Sequence, residues 1–467
     1  MTTSPAGDKL PNVNGLRDAQ PRHSIGYRVQ HRARTIVASV IAAMLVFSGT
    51  AAAATWLDVN GIIKNHSVEL IGQGSLDANT SIIDPNSGKP IEFVLIGQDS
   101  RDGEENQSVG GNFDDVVGNH QADTTMVAQI SADRTKINLV SIPRDSLVDV
   151  PQCETTNGTI PAQYNVMFNS IFANAYQTGG DLASAASCTL NAVNSLTGLN
   201  IQNFIVVDFA GLVKMINAVG GVDLCIPQDV DDPYTSLQLT KGLHHLDGYQ
   251  ATQYARTRHG LGDGSDTSRT TRQQYLIKQL MNEALSKNLF TDTAQLYQLA
   301  KSALKSLNIS QGMADTAALA GLAMSLKNFT MTNLQTQTVP VVPAPSDPNR
   351  SVWTDEADNL WEKMRAGKPI FDTADSNSGD SSDTSSDNSA SSDDSGTTDS
   401  NQSDTTAETP DPVTGLITKS DGTLVDPSTG GTVDPDDGSI HDATTGQYIG
   451  LADRYLNATV CAVPAKN

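Results

Sequence analysis

Positive charge is scarce in this chain of 467 residues: Lys and Arg total 30 against 53 Asp and Glu, for a formal net charge of −23. A nucleic acid needs a basic face, so nucleic acid is excluded as a general partner, although a small basic pocket inside an acidic molecule is not. Aromatic residues make up only 5%, which implies that a good part of the chain is not core. Cysteine is rarer still. Cys153, Cys188, Cys225 and Cys461 are too few for a disulfide scaffold, and without CxxC spacing they argue against a zinc site of four thiolates. Neither a GxSxG elbow nor an HExxH helix is present, and His244, His245 and His259 lack metal-ligand spacing.

One stretch lacks charge altogether and sets the compartment. Residues 35–57 read TIVASVIAAMLVFSGTAAAATWL, behind a tail (1–34) that carries Lys9, Arg17, Arg22, Arg28, Arg32 and Arg34. About 20 apolar residues span a bilayer as a helix, and a basic flank stays cytoplasmic. The alternative is a cleaved signal peptide, since Ala51–Ala54 offers small residues to a protease. The long basic tail favours an uncleaved single-pass anchor with the rest of the chain extracytoplasmic, where disulfides are stable. Cys153–Cys188 would bracket one helix, and Cys225–Cys461 would tie the distal tail back to the core.

A juxtamembrane segment (58–90) leads into a globular region (91–345). Buried strands are expected at EFVLIG (92–97), TTMVAQI (124–130), INLVSI (137–142) and FIVVDF (204–209). Helical spacing marks 166–176, stopped by Gly179-Gly180, then 182–196 ending at Gly198, 211–221 breaking on two glycines, and 270–287. Strands alternating with helices predict an α/β layered domain with a mostly parallel or mixed sheet. After a connecting segment (346–371), residues 372–411 are almost all Ser, Asp, Thr, Asn and Gly, with no Lys or Arg between Lys368 and Lys419. Such a stretch cannot bury enough apolar surface to offset its ordering entropy, so it reads as a disordered spacer. The tail (412–467) holds the loose repeat DPVTG, DPSTG, DPDDG and DATTG, which predicts turns joining short strands.

Four local patterns carry candidate chemistry. In IGQDSRDG a strand runs straight into Asp99 and Arg101, and ligands of open α/β sheets bind beyond strand carboxyl ends. In HQADTTMV, Asp123 enters a second strand, and two carboxylates at neighbouring strand mouths can share one Mg²⁺, which leaves its other positions to water and phosphate. In SIPRDSLV, Arg144 follows a strand, with a plain salt bridge to Asp145 as the alternative. The most informative is YARTRHGLGDGSDTSRTTRQQ, which concentrates Arg256, Arg258, Arg269 and Arg272 in an otherwise acidic protein. Arg256 and Arg258 suit a helix end fraying into a Gly-rich loop. Asp266 to Ser268 would cap the next helix, placing Arg269 in its first turn with Gln273 on the same face. Arginines converging on a helix N-terminus bind phosphate or pyrophosphate; a solvated charge run is the alternative.

With GQDSR, ADTTMV, SIPRD, VVDFAGLVKMINAVGGVDLCIP, the long arginine segment and the N-terminal anchor together, the chain over about 91–290 resembles the LytR–CpsA–Psr family of cell-wall ligases, of an actinobacterial type. The resemblance implies a three-layer α/β/α sandwich with a mixed central sheet, held outside the membrane. It implies a phosphotransferase that moves a glycopolymer from a polyprenyl-pyrophosphate lipid donor to the muramic acid hydroxyl of peptidoglycan. By position, Asp99 and Asp123 would hold Mg²⁺; Arg144, Arg256, Arg258, Arg269 and Gln273 would hold the pyrophosphate; Arg101 would support Asp99. Asp99, Arg144 and Arg256 are the expected catalytic residues. One departure is that His120 or Gln121 stands where family members often carry Arg. The proton acceptor is open between Asp99 and a metal-bound hydroxide. An apolar tunnel for the lipid would come from the faces of 166–196 and 270–290. A non-catalytic surface-binding or adhesion protein, and a polyprenyl-pyrophosphate hydrolase, are the competing functions.

Overall fold

The computed structural model describes residues 54–73, 83–100, 103–110, 120–286, 293–371 and 409–462. The expected anchor, save residues 54–57, lies outside them, as do Arg101 and residues 372–408 of the expected linker. The chain divides into two units, Met1–Gly61 and Ile62–Asn467. In the first, residues 54–61 are helical; among the described residues no helix is long and apolar enough to cross a membrane.

A seven-stranded mixed sheet organises the second unit. Its strands are β1 (Ser67–Val68), β2 (Ile91–Asp99), β3 (Gln121–Ile130), β4 (Ile137–Ile142), β5 (Phe204–Asp208), β6 (Asn308–Ser310) and β7 (Leu334–Thr338), in the spatial order β1-β6-β5-β2-β3-β4-β7. β2 pairs parallel with β5 and antiparallel with β3, β3 antiparallel with β4, and β4 parallel with β7. The carboxyl ends of β2, β4 and β5 therefore share one edge with the start of β3, and the site forms there.

Side chains alternate across the sheet. On one face Val94, Ile96, Val127, Val140 and Val206 pack against α2 (Phe168–Gly179), α3 (Leu182–Thr197) and, further along the chain, Trp361 and Met364. On the other, Phe93, Leu95, Met126 and Ala128 meet Ile277 and Met281 of a helix spanning Asp266–Ser286. Both faces are thus covered by helices, which is why these strands are near-continuous apolar runs. Between them in sequence come α4 (Phe209–Val219) and α5 (Gly248–Arg256); the Asp266–Ser286 helix is α6, and Asp355–Arg365, which carries Trp361, is α7.

Helix ends follow the sequence signals. Asp181, Asp208 and Asp247 cap α3, α4 and α5 by accepting backbone N–H bonds from Ser184, Gly211 and Gln250. Gly180, Gly198 and Gly220 close α2, α3 and α4 in the left-handed region.

Both expected disulfides are formed, Cys153–Cys188 and Cys225–Cys461. The second holds a C-terminal five-stranded antiparallel meander, β8 (Ile417–Thr418), β9 (Leu424–Val425), β10 (Thr432–Val433), β11 (Ser439–His441) and β12 (Tyr448–Leu451). DPSTG, DPDDG and DATTG are the turns between β9 and β10, β10 and β11, and β11 and β12, while DPVTG forms a turn just before β8. Asp411 accepts from Thr414 N at 2.7 Å, Asp426 from Thr429 N at 3.0 Å and Asp442 from Thr445 N at 2.7 Å, so these carboxylates hold backbone. The chain that follows the meander leans on α6: Tyr275 Oη donates to Asn457 Oδ1 at 2.6 Å, Lys278 Nζ lies 3.0 Å from Asp453 Oδ2, and Leu456 is fully buried.

Candidate active site

At the sheet edge a cavity of about 500 Å³ opens between β2, β3, β5, α4, α5 and α6. Among its lining residues are Asp99, Asp123, Arg144, Arg256, Arg258, Arg269 and Gln273. Every sequence-predicted metal or pyrophosphate residue that the structure describes is thus brought to one place, although these residues span positions 99 to 273; Arg101 lies outside the described residues.

Asp123 reaches the cavity through an irregularity in β3. Gly97 pairs with Thr124 and Gln98 with Ala122, so Asp123 is the extra residue of a β-bulge. Beyond the bulge the facing parity is reset: Val127 and Ala122 both join the α2–α3 face, while Asp123 and Thr124 both line the cavity. Thr124 Oγ1 donates to Gln273 Oε1 at 2.8 Å, and Gln273 Nε2 donates to Ala255 O at 3.2 Å, so Gln273 ties β3 and α5 to α6.

The arginines are held by different partners. Arg144 Nη1 donates to Asp123 Oδ1 at 2.8 Å, and its Nε lies 3.4 Å from Asp266 and 3.5 Å from Asp145. The Asp145 salt bridge is therefore present, as one of three. Arg269, with its side chain 4% exposed, pairs with Asp266, donates from Nη2 to Asp123 O at 3.2 Å and stands 4.0 Å from Asp123 Oδ2. Arg256 ends α5, donates to Val109 O at 2.7 Å and lies over the Phe209 ring at 4.5 Å, a cation–π contact. Arg258 stands just beyond, exposed at the mouth.

Electrostatics follow from this geometry. Burial works to raise the Asp123 pKa, but Arg269 and then Arg144 outweigh it and hold the carboxyl below its ordinary value. Burial would lower Arg144, yet Asp123, Asp266 and Asp145 together push it up. Arg258 is pushed down to about 10, first by desolvation and then by repulsion from Arg269 and Arg144. It remains charged at neutral pH, and an anion placed here relieves that repulsion.

The structure corrects three expectations and sets Arg272 apart from the other arginines of its segment. The N-cap of α6 is Ser265, whose Oγ accepts from Ser268 N at 3.1 Å; Asp266 instead sits in the first turn and faces Arg144 and Arg269, filling part of the field at that helix end. Arg272 does not face the cavity: it is buried, donating to Leu261 O at 3.2 Å and Ser268 Oγ at 2.8 Å, and braces the Gly-rich loop from inside. Gly262 of that loop has φ +61° and lies where a Cβ would meet Ser268 Oγ at 2.2 Å. His120 does not stand in for an arginine: it is buried, 2.7 Å from Gln98 Nε2 and stacked on Tyr176, and Gln121 lines the cavity instead. Finally, the 166–196 face belongs to the core on the far side of the sheet. The apolar lining comes from Phe209, Leu212 and Met215 of α4 with Leu276, Ile277 and Leu280 of α6. Sequence reading missed the α4 contribution because Leu212 and Met215 look like ordinary core positions.

The fold and site define a mixed α/β protein with an arginine-rich edge set directly on an apolar pocket. The LytR_cpsA_psr family profile matches residues 60–366, and the chain belongs to that family. It is 28% identical to the cell wall biosynthesis protein LcpA of Corynebacterium glutamicum over 322 residues, covering 66% of this chain and 60% of LcpA. It is 27% identical to the polyisoprenyl-teichoic acid–peptidoglycan teichoic acid transferase TagU of Enterococcus faecalis over 208 residues, covering 44% of this chain and 58% of TagU. The chain thus spans about three fifths of the length of these relatives. Among solved structures, the LytR-Csp2A-Psr enzyme from Actinomyces oris aligns with a TM-score of 0.43 and 19% identity, over 65% of this chain and 97% of that one.

Proposed function

We propose that this protein is a membrane-anchored, extracytoplasmic phosphotransferase. It moves a glycopolymer from a polyprenyl-pyrophosphate carrier to a peptidoglycan hydroxyl and leaves a phosphodiester. The observation that carries the reading is that one cavity joins a cluster of four arginines to an apolar wall. A polyprenyl pyrophosphate has the same two-part character, a doubly charged head on a hydrocarbon chain. The three-layer α/β/α arrangement, the N-terminal anchor and the outward topology belong to this proposal.

The residues divide the work. Arg144, Arg256, Arg258 and Arg269 offset the pyrophosphate charge so that a hydroxyl can approach, and they stabilise the charge that moves onto the leaving phosphate. Gln273, fixed through Thr124 and Ala255, holds α6 in register with the strands. Leu212, Met215, Leu276 and Leu280 exclude water from the hydrocarbon chain.

Mg²⁺ belongs to the proposal, and the donor set is compatible with it. Asp99 and Asp123 line the same cavity, and the Arg144 bond occupies Oδ1 of Asp123. Hard carboxylate oxygens in that number suit Mg²⁺, which takes one or two and completes its shell with water and phosphate. Among the described residues no group of three or more His, Cys, Asp or Glu side chains gathers into a metal site, so substrate and water would supply the rest. Bound there, the ion would neutralise phosphate charge.

The test is full-length protein incubated with a polyprenyl-pyrophosphate glycan, with and without peptidoglycan and Mg²⁺. Phosphodiester-linked glycan on peptidoglycan is the expected product. Release of free glycan phosphate at the same rate in both reactions would make the protein a hydrolase, and no turnover in either would remove the enzyme reading.

A further inference from the structure

Two residues that line the cavity take no part in the arginine–carboxylate network. Tyr234 sits at the turn of the hairpin Val230–Asp232 and Leu237–Leu239 and is 64% exposed. Its ring lies against the imidazole of His259, with centroids 4.6 Å apart and planes 29° from parallel. Behind the pair is Asp232, which also lines the cavity but is 1% exposed. The Asp232 carboxylate accepts from Tyr234 N at 2.9 Å and Arg258 N at 3.4 Å, and its Oδ1 stands 3.9 Å from His259 Nδ1.

The surroundings hold these groups in place. Thr235 and Thr257 hydroxyls meet at 2.9 Å and pin the hairpin to the end of α5. Gln228 Nε2 donates to Gly260 O at 2.7 Å and pins the Gly-rich loop on the other side of His259. An exposed tyrosine on an imidazole, braced from both sides beside a cationic cavity, offers an aromatic face with a proton-accepting edge. A saccharide presents the complement, an apolar ring face with hydroxyls at its rim.

We propose that Tyr234, His259 and Asp232 form the acceptor subsite. The Tyr234–His259 stack takes a sugar ring of the acceptor, and His259 accepts the proton of the attacking hydroxyl. This rests on the phosphotransferase reading above. The acceptor oxygen forms a bond to the phosphorus that bears the glycan. The bond from that phosphorus to the bridging oxygen breaks, the lipid leaves as its monophosphate, and the proton passes to the imidazole and then to solvent. Asp232 offsets the positive charge the ring gains, the role a buried carboxylate plays behind a general base. Asp99 lines the same cavity and is the competing proton acceptor, so the His259 variant decides between the two. The charged groups around His259 are Asp232 from the hairpin and Arg258 from its own loop, with Asp99, Asp123, Arg144, Asp208, Arg256 and Arg269 lining the rest of the cavity.

The experiment uses the full-length protein and two readouts. Farnesyl pyrophosphate is the binding probe, and transfer from a polyprenyl-pyrophosphate glycan to peptidoglycan fragments is followed against pH. His259→Gln replaces an exposed ring, so folding is retained and is checked by melting. It is expected to bind the probe within about two-fold of wild type while transfer falls roughly 10²–10⁴-fold. The decline of wild-type transfer toward acid pH should disappear with it. Tyr234→Ala should raise KM for the acceptor and leave probe binding unchanged, a split that a merely structural loss would not produce. Transfer by His259→Gln within about three-fold of wild type, with the acid limb intact, overturns the subsite while leaving the phosphotransferase reading standing. A wild type that neither binds the probe nor transfers removes that reading and the subsite with it.

Discussion

Asp123 and Thr124 are consecutive in β3, yet both line the same cavity, an arrangement that a regular strand forbids. The bulge places a carboxylate beside Arg144 and a hydroxyl on Gln273 from adjacent positions. Deleting Asp123 would restore the alternation with Ala122 still opposite Gln98, removing the carboxylate together with the local bend that the bulge gives β3. The deletion variant should lose farnesyl pyrophosphate binding more completely than Asp123→Ala, as read by thermal shift of the two purified proteins.

Arg256→Ala tests the phosphate clamp. Removing one electrostatic stabiliser typically costs on the order of 10²–10³ in rate, and that is the loss expected in transfer. Arg256→Lys should recover only part of it, because a point charge replaces neither the fork nor the stacking on Phe209. Turnover near wild type in Arg256→Ala would demote the cluster to surface charge.

The apolar wall makes a chain-length prediction. Leu280→Gln should weaken binding of a long polyprenyl pyrophosphate by roughly ten-fold, about 1.4 kcal/mol, while leaving a two-isoprene pyrophosphate nearly unaffected. Calorimetric titration with the two lipids measures the difference; equal losses for both would place the chain elsewhere.

Acid stability follows from Asp123. Its folded pKa lies below the unfolded value, so its contribution is fully present above the unfolded carboxylate range, about 4, and is lost as pH falls through the folded pKa. Asp123→Asn should therefore flatten the acid limb of melting temperature against pH without adding a slope above about pH 5. An unchanged acid limb in that variant would count against the Asp123–Arg144 pair.

The Cys225–Cys461 bridge links positions 236 apart. Cys461→Ser should destabilise the folded unit by about 3–5 kcal/mol on loop-entropy grounds. Protease should then cut within residues 409–462 before the family domain, as seen by limited digestion and mass mapping. Protection of the meander at wild-type rates would show that its packing against α6 holds it without the bridge.

Local signals made much of this protein legible from its residues alone. Apolar runs placed β2, β3, β4 and β5; glycines marked where α2, α3 and α4 stop; and the Asp-rich repeats marked turns of the meander. These are short-range effects, set by periodicity and backbone chemistry within a few residues. The motifs also held the site residues in order along the chain, and two disulfides followed from which cysteines bracket which elements. What tertiary structure alone decided is how distant segments face one another. Asp266 turned from cap to counter-ion because Arg144 arrives from β4; Arg272 turned inward because the Gly-rich loop closes over it. α4 rather than the 166–196 helices lines the pocket because helices cover both faces of the sheet, and amphipathic spacing is the same whichever face a helix covers. The Tyr234–His259–Asp232 group had no sequence signal at all, since a hairpin tip, a loop and a strand end meet only when long-range packing closes the chain.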